Sequence, residues 1–436
     1  MNKLVKGVLC NAWTLVEYIY LLSKYTKDGE YKNPTKLMQD VDKKIGQIMK
    51  KAYQIPVYRK KFDEANLTPA DVQCLEDLKK FPRLTKIELK DWMDSEIAKG
   101  HSDNCYINST SGSSGIPIKV IYGIREKAVA NAAWIRLLRI HGYNPFLDRT
   151  MAIKVNTKRN TRDSIIQKLG ILQRYTYSAL ETTQFLVQAL NNHQPVLLYA
   201  NKSILIEMIL YAKKENIAMF KPRLICSTSE QLDSVSRNMI TEYFGDVLFD
   251  SYGAEEVSAF TYTRCGNLEK HYITWDTHAV YLDEVQSGTD TDNGRIIVTS
   301  LFQRRFPIIN YDLRDQVETL KENGIMYIKK ICGRMTDWFT FADGTRVGYQ
   351  PFYSLAEHCP YIFQIRFIQE SYTAIRIQLV KNDCPETTQE IEQYMIATLN
   401  KLLSRNDLCY TFEWMENIPL DKNMKIKFMV SKVSGN

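Results

Sequence analysis

The sequence is short of several features that would place it quickly. None of its nine cysteines stands in a Cys-x-x-Cys pair, and the count is odd. That argues against a disulfide framework and suits reduced thiols in a cytoplasmic protein, most of them small core residues. No stretch is both long and apolar enough for a confident membrane span. The nearest candidate, residues 8–22, is interrupted by Asn11 and Glu17, and no small-residue cleavage site follows it. It reads as an amphipathic helix packed on the body, with a helix lying on a membrane surface as the sharper alternative. There is no internal repeat and no low-complexity segment. An excess of one charge is also lacking: 57 Lys and Arg against 50 Asp and Glu leave +7. This fits an anionic ligand and is too diffuse for a nucleic-acid surface.

What is present is a chain of 436 residues, 44% hydrophobic, enough for two or three domains. Residues 1–100 read as mostly helical, punctuated by Pro34, Pro56 and Pro82. A helix is expected over 126–140, with Ala130, Ala133, Trp134, Leu137 and Leu138 on one side. Strand-like runs at 120–121, 151–155, 195–198, 223–226 and 247–250 alternate with helical patterns at 203–215 and 232–244. That alternation predicts an α/β domain with largely parallel sheets. Residues 274–328 are strand-rich, and the character changes at 332–337. Beyond it, strands at 361–368, 373–379, 411–414 and 426–430 with a helix at 387–403 predict a small α+β domain.

Five segments carry possible chemistry. Ser109, Thr110, Ser111, Gly112, Ser113, Ser114 and Gly115 form a run of small hydroxyl and glycine residues before a strand. Such a loop lets backbone N–H groups approach phosphate oxygens, although no Gly-Lys-Ser/Thr follows, so it is not a Walker loop. Its bland reading is a flexible turn. Asp250-Ser-Tyr-Gly-Ala-Glu-Glu256 follows a strand, where open sheets bind ligands, and Glu255 or Glu256 could hold Mg²⁺. Tyr311-Asp-Leu-Arg-Asp315 could offer a carboxylate to ribose hydroxyls or be a salt-bridged turn. Gly333-Arg334 at the boundary could touch a sugar or phosphate, or be a linker. The terminal run with Lys422, Lys425 and Lys427 could supply a point charge to a phosphate, or be an exposed basic turn.

In this order and spacing the segments resemble the adenylate-forming superfamily of acyl-CoA synthetases. Within it they are most similar to the phenylacetate–CoA ligase group and its branch from capsular-polysaccharide gene clusters. The resemblance runs from about residue 75 to the end and includes Ser227-Thr-Ser-Glu230 and Gly294-Arg-Ile-Ile-Val-Thr-Ser-Leu301. It implies an α/β fold with three parts. These are a helical N-terminal region, 1–75, packed on the body, a large ATP- and acyl-binding domain of stacked sheets and helices, 76–332, and a small mobile C-terminal domain, 333–436. It implies that Ser109 to Gly115 grip the ATP phosphates and that Ser229, Glu230, Tyr252 and Gly253 border the adenine. Glu256 would ligate Mg²⁺, Asp315 would bind the ribose hydroxyls, and Arg334 would contact the ribose at the hinge. Lys425 aligns with the lysine that bridges carboxylate and α-phosphate.

The implied activity adenylates a carboxylic acid and transfers the acyl group to coenzyme A, or alternatively to an amine or hydroxyl acceptor in surface-polysaccharide assembly. A non-catalytic nucleotide-binding module is the competing class. The chain departs from the wider pattern at Ile116, Glu255 and Thr336, and at Met424, which stands where relatives have glycine. Trp134, Tyr143 and Tyr199 are candidates for the acyl pocket. Cys265 and His271 could be a metal pair, but two ligands do not make a zinc site, and the reading preferred is a buried thiol and a polar histidine.

Overall fold

The computed structural model describes residues 2–26, 30–110, 117–155, 167, 170–288, 291–334, 338–421 and 424–433. Helices open the chain: α1 (Lys3–Leu22), α2 (Pro34–Ala52), α3 (Pro56–Glu64), the single turn α4 (Leu75–Leu78) and α5 (Lys86–Ala98). Proline sits in the first turn of α2 and α3, where a missing N–H costs little. Thr85 and Glu88 form a capping box on α5. The apolar face of α2, with Leu37, Val41, Ile45 and Ile48, enters the main core. α1 turns Cys10, Thr14, Glu17 and Leu21 inward, and Arg125 Nε holds Glu17 Oε1 at 2.9 Å. Its outward face exposes Leu4, Val8, Leu15 and Ile19. Among the described residues no helix is long and apolar enough to cross a membrane.

A hairpin of β1 (Tyr106–Ser109) and β2 (Lys119–Tyr122) leads into α6 (Ile124–Ile140). The expected alternation follows: β3 (Thr150–Lys154), β4 (Arg174–Ser178), α7 (Thr183–His193), β5 (Leu197–Ala200), α8 (Lys202–Lys214), β6 (Leu224–Thr228), α9 (Ser234–Phe244) and β7 (Leu248–Ala254), with β4 and α7 added to it. These five strands pair in parallel. The parallel pattern stops at β7. β8 (Ser258–Arg264), β9 (Asn267–Ile273), β10 (His278–Ser287), β11 (Asp292–Ser300), β12 (Tyr311–Glu322) and β13 (Ile325–Arg334) pair antiparallel. Short turns replace helical crossovers here, and a short turn can join only antiparallel strands. The result is an 11-stranded sheet in the order β10-β11-β12-β13-β9-β8-β7-β6-β5-β3-β4.

The chain then builds β14 (Trp338–Thr340), β15 (Arg346–Gly348), α10 (Tyr349–His358), β16 (Ile362–Ser371), β17 (Ala374–Lys381), α11 (Thr388–Leu403), β18 (Cys409–Trp414) and β19 (Met429–Ser431). A four-stranded sheet, β18-β17-β16-β19, packs with Phe339, Phe352, Met395 and Leu399 into a core of its own. Phe363, Val380 and Ile418 of this part are instead buried in the core of the parallel half beside Leu205 and Ile209, with Met415, Leu420, Met424 and Ile426 packed against it. Burying a side chain of this size contributes roughly 1.5–3 kcal/mol, so the seam adds a real but limited hold. The strand expected at 426–430 shortens to β19, because Ile426 turns its N–H to another part of the molecule.

Candidate active site

The ends of the parallel strands supply the first parts of the site. β6 ends at Thr228, and Ser229 follows with φ +67°, a left-handed backbone unusual for a serine. β7 carries Tyr252, whose hydroxyl donates to Asp315 Oδ2 at 2.6 Å across 63 residues of sequence. Asp315 lies opposite Arg334 in the β12–β13 ladder. The acid in this turn that pairs with arginine is Asp312, held by Arg295 at 2.9 and 3.0 Å. Gly253 lets β7 and β8 approach closely, since a Cβ there would stand 2.5 Å from Ala259 Cα and Ser258 O. Gly333 has φ +101° and packs under the Tyr349 ring.

The two glutamates after β7 differ in setting. Glu255 is exposed, and Asn108 Nδ2 donates to its Oε2 at 3.1 Å. Glu256 is buried, and its Oε1 accepts from Tyr311 Oη at 2.9 Å. Tyr122 Oη and Gln303 Nε2 donate to the Glu256 carbonyl at 3.2 and 3.1 Å. Burial and the Glu256 charge push the Tyr311 phenol far up, so it stays a donor. Ser109 ends β1, and Thr110 exchanges hydrogen bonds with Ile118, its Oγ1 accepting from Ile118 N at 2.9 Å. Ser111, Gly112, Ser113, Ser114 and Gly115 lie outside the described residues, as do Thr336 and Lys422.

A cleft of about 230 Å³ opens between α9, β9, β13 and α10, lined by Gln231, Asp250, His271, Ile331, Lys330 and Tyr353. Asp250 precedes Tyr252 by two residues and so shares its face of β7. Burial pushes the Asp250 carboxyl up to about 7, and it pushes His271 down to about 4. The pair stands 4.0 Å apart. Gln231 ties the cleft to the C-terminal part, donating to Ile331 O at 2.6 Å and accepting from Tyr349 Oη at 2.5 Å. Asp250 opens the second segment singled out in the sequence, whereas Gln231, next to Glu230, carries no motif signal of its own.

The third part comes from the far end of the chain. Lys425 Nζ donates to Ser229 O at 2.6 Å, linking positions 196 residues apart. Lys427 instead has an exposed side chain, while its carbonyl accepts from Arg366. Met424, the residue that replaces a glycine, has φ +55°. The loop keeps the left-handed turn that glycine would adopt freely, at a cost of about 1–2 kcal/mol. Met424 also packs against the core of the parallel half. Met424→Gly is therefore expected to leave the melting temperature within about 4 °C, relief of the turn offsetting lost contact. Met424→Val, branched at Cβ and disfavoured at positive φ, is expected to displace Lys425 and slow any reaction that needs it by about ten-fold. Equal activity in the two variants would contradict this reading of the turn.

Of the aromatics expected near the acyl group, Trp134 and Tyr199 meet edge to face at 5.6 Å. Tyr143 is buried, with its hydroxyl committed to Asp148 O and Thr150. Cys265 stands in the β8–β9 turn, where burial raises its thiol to about 11. Among the described residues no group of three or more possible metal ligands forms.

No family model matches the chain. Curated relatives do. The phenylacetate–coenzyme A ligase of Escherichia coli strain K12 is 24% identical over 305 residues, covering 66% of this chain and 69% of that protein. The enzyme of the same name from Pseudomonas putida is 24% identical over 312 residues, covering 66% and 68%. Among solved structures, a 2-hydroxyisobutyryl-CoA ligase in a postadenylation state, bound to an acyl-AMP, superposes with a TM-score of 0.72 at 17% identity. That match covers 94% of this chain and 96% of the other. By sequence the chain is a homologue of the phenylacetate–CoA ligases, and its fold is that of the adenylate-forming ligases.

Proposed function

We propose that this chain is an AMP-forming ligase that adenylates a carboxylic acid with ATP and passes the acyl group to coenzyme A. One observation carries the reading. Tyr252 and Asp315 meet at the end of β7, and Lys425 reaches the end of the adjacent β6 from the other extremity of the chain. Tyr252 would border the base, with Asp250 and Ile331 deeper in the cleft and Ser229 and Glu230 on its other side. Asp315 would accept the ribose hydroxyls, with Arg334 beside it in the ladder. The run from Ser109 to Gly115 would hold the phosphates.

A carboxylate becomes a good acyl donor only when one oxygen is turned into a leaving group. Here the carboxylate oxygen attacks the α-phosphorus of ATP and pyrophosphate leaves. The Lys425 ammonium would draw carboxylate and phosphate together and offset their repulsion. The thiol of coenzyme A then loses its proton, sulfur attacks the acyl carbon, and AMP departs with the original carboxylate oxygen. Glu256 fits Mg²⁺, because a single buried carboxylate suffices for an ion that keeps water and phosphate oxygens as its other ligands. When bound, the ion would supply positive charge at the phosphates. Coenzyme A is preferred over an amine or hydroxyl acceptor because the relatives above are named as coenzyme A ligases. ATP, coenzyme A and cysteines that are all free thiols suit the cytoplasm.

The test is a pyrophosphate-release screen over carboxylic acids, followed by analysis of the nucleotide product with and without coenzyme A. AMP together with an acyl thioester is the expected result. ADP as the product, or AMP with an acyl amide and no need for coenzyme A, would contradict the proposal.

A further inference from the structure

α8 begins without its usual cap. Asn201 occupies the N-cap position, where an asparagine side chain normally accepts from a first-turn N–H, yet it makes no such bond. Its Nδ2 instead donates to Met424 O at 2.7 Å, 223 residues away, and Asn201 is buried. The vacant capping role is filled from the turn after β6. Glu230 Oε2 accepts from Ser203 N at 3.0 Å and its Oε1 from Ser203 Oγ at 2.8 Å. A carboxylate at a helix N-terminus also meets the favourable end of the helix dipole. The same Oε1 accepts from Ile426 N at 3.3 Å. The residues on either side of Lys425 are thus gripped by two side chains of the large body, while Lys425 itself reaches Ser229 O. Met424 and Ile426 also pack against the core of the parallel half.

We propose that Asn201, with Glu230, is a positioning residue that clasps the lysine loop in the arrangement used for adenylation. The proposal rests on the reading of Lys425 given above. The clasp consists of neutral donors and carbonyl or carboxylate acceptors, each of which water can replace when the loop leaves. A net hydrogen bond of this kind shifts an equilibrium by about ten-fold, enough to favour the docked loop without locking it. Coenzyme A attack requires no lysine at the α-phosphate. Weakening the clasp should therefore burden the first half-reaction alone.

The experiment compares Asn201→Ala, Asn201→Ser and Lys425→Ala in two assays. One is exchange of labelled pyrophosphate into ATP, dependent on whichever acid supports it. The other is thioester formation from the synthetic adenylate of that acid and coenzyme A. Serine caps a helix well but cannot span to Met424 O, so Asn201→Ser keeps the helix start while removing the Asn201 half of the clasp. Both Asn201 variants are expected to slow exchange about ten-fold and to leave thioester formation unchanged or faster. Unchanged exchange, or an equal loss in both assays for Asn201→Ser, overturns the clasp. If Lys425→Ala loses exchange while the Asn201 variants do not, the clasp fails and the ligase reading stands. Normal exchange in Lys425→Ala removes the lysine assignment and the clasp with it.

Discussion

Lys425→Ala should lower acid-dependent exchange of pyrophosphate into ATP by about 10²–10³-fold, the range found when a preorganised group that stabilises developing charge is removed. The argument is geometric. Three lysines lie close together in sequence, but the described structure brings the ammonium of Lys425 to within 2.6 Å of Ser229 O, while Lys427 is turned to solvent. Lys427→Ala is accordingly expected to exchange at the normal rate. Lys425→Arg should recover little, since a planar guanidinium cannot replace a compact point charge in the same space. Melting curves of the alanine variant should stay close to those of the parent, because the bond lost to Ser229 O lies in an exposed setting. Normal exchange in Lys425→Ala would reject the assignment.

Glu256→Gln should raise the Mg²⁺ concentration needed for half-maximal exchange by about 10–100-fold, an effect on the scale seen when the groups around a metal are disturbed. Glutamine keeps an oxygen that can accept from Tyr311 Oη, so the buried hydrogen bond at 2.9 Å survives and the fold is spared. What is lost is the negative charge, which a hard cation values most. Tyr311→Phe, which keeps the charge and removes only the donor, should shift the same titration by no more than a few-fold. An unchanged metal dependence in Glu256→Gln would take this residue out of the metal site.

The motifs were legible because each is a short contiguous string whose chemistry is local. Tyr252, Glu256 and Asp315 could be named that way, and the α/β alternation up to β7 followed from hydrophobic period. The partners that aim these groups were not legible, because they come from remote sequence. Tyr311 steadies Glu256 across 55 residues, and Asn201 meets Met424 across 223. Asparagine before a helix reads as an ordinary cap, and nothing nearby tells that Glu230 takes over that task. The strands β8 and β9 lie in a stretch, 258–273, for which the sequence reading offers no strand. The Cys265-Gly266 turn between two stretches rich in aromatic and β-branched residues was a usable hairpin signal. The strand expected at 426–430 is shorter and starts later, at Met429, for another reason. Backbone that could have joined β16 is drawn to Glu230, a tertiary contact overriding local preference.

The most direct test follows a single oxygen atom. A carboxylic acid that supports exchange is labelled with ¹⁸O in its carboxylate, turned over with ATP and coenzyme A, and the AMP is weighed by mass spectrometry. If the acid attacks the α-phosphorus, as proposed, one labelled oxygen leaves with AMP for each thioester made. Label recovered in inorganic phosphate, with none in AMP, would mean that a different phosphorus is attacked and that the site does not work as described.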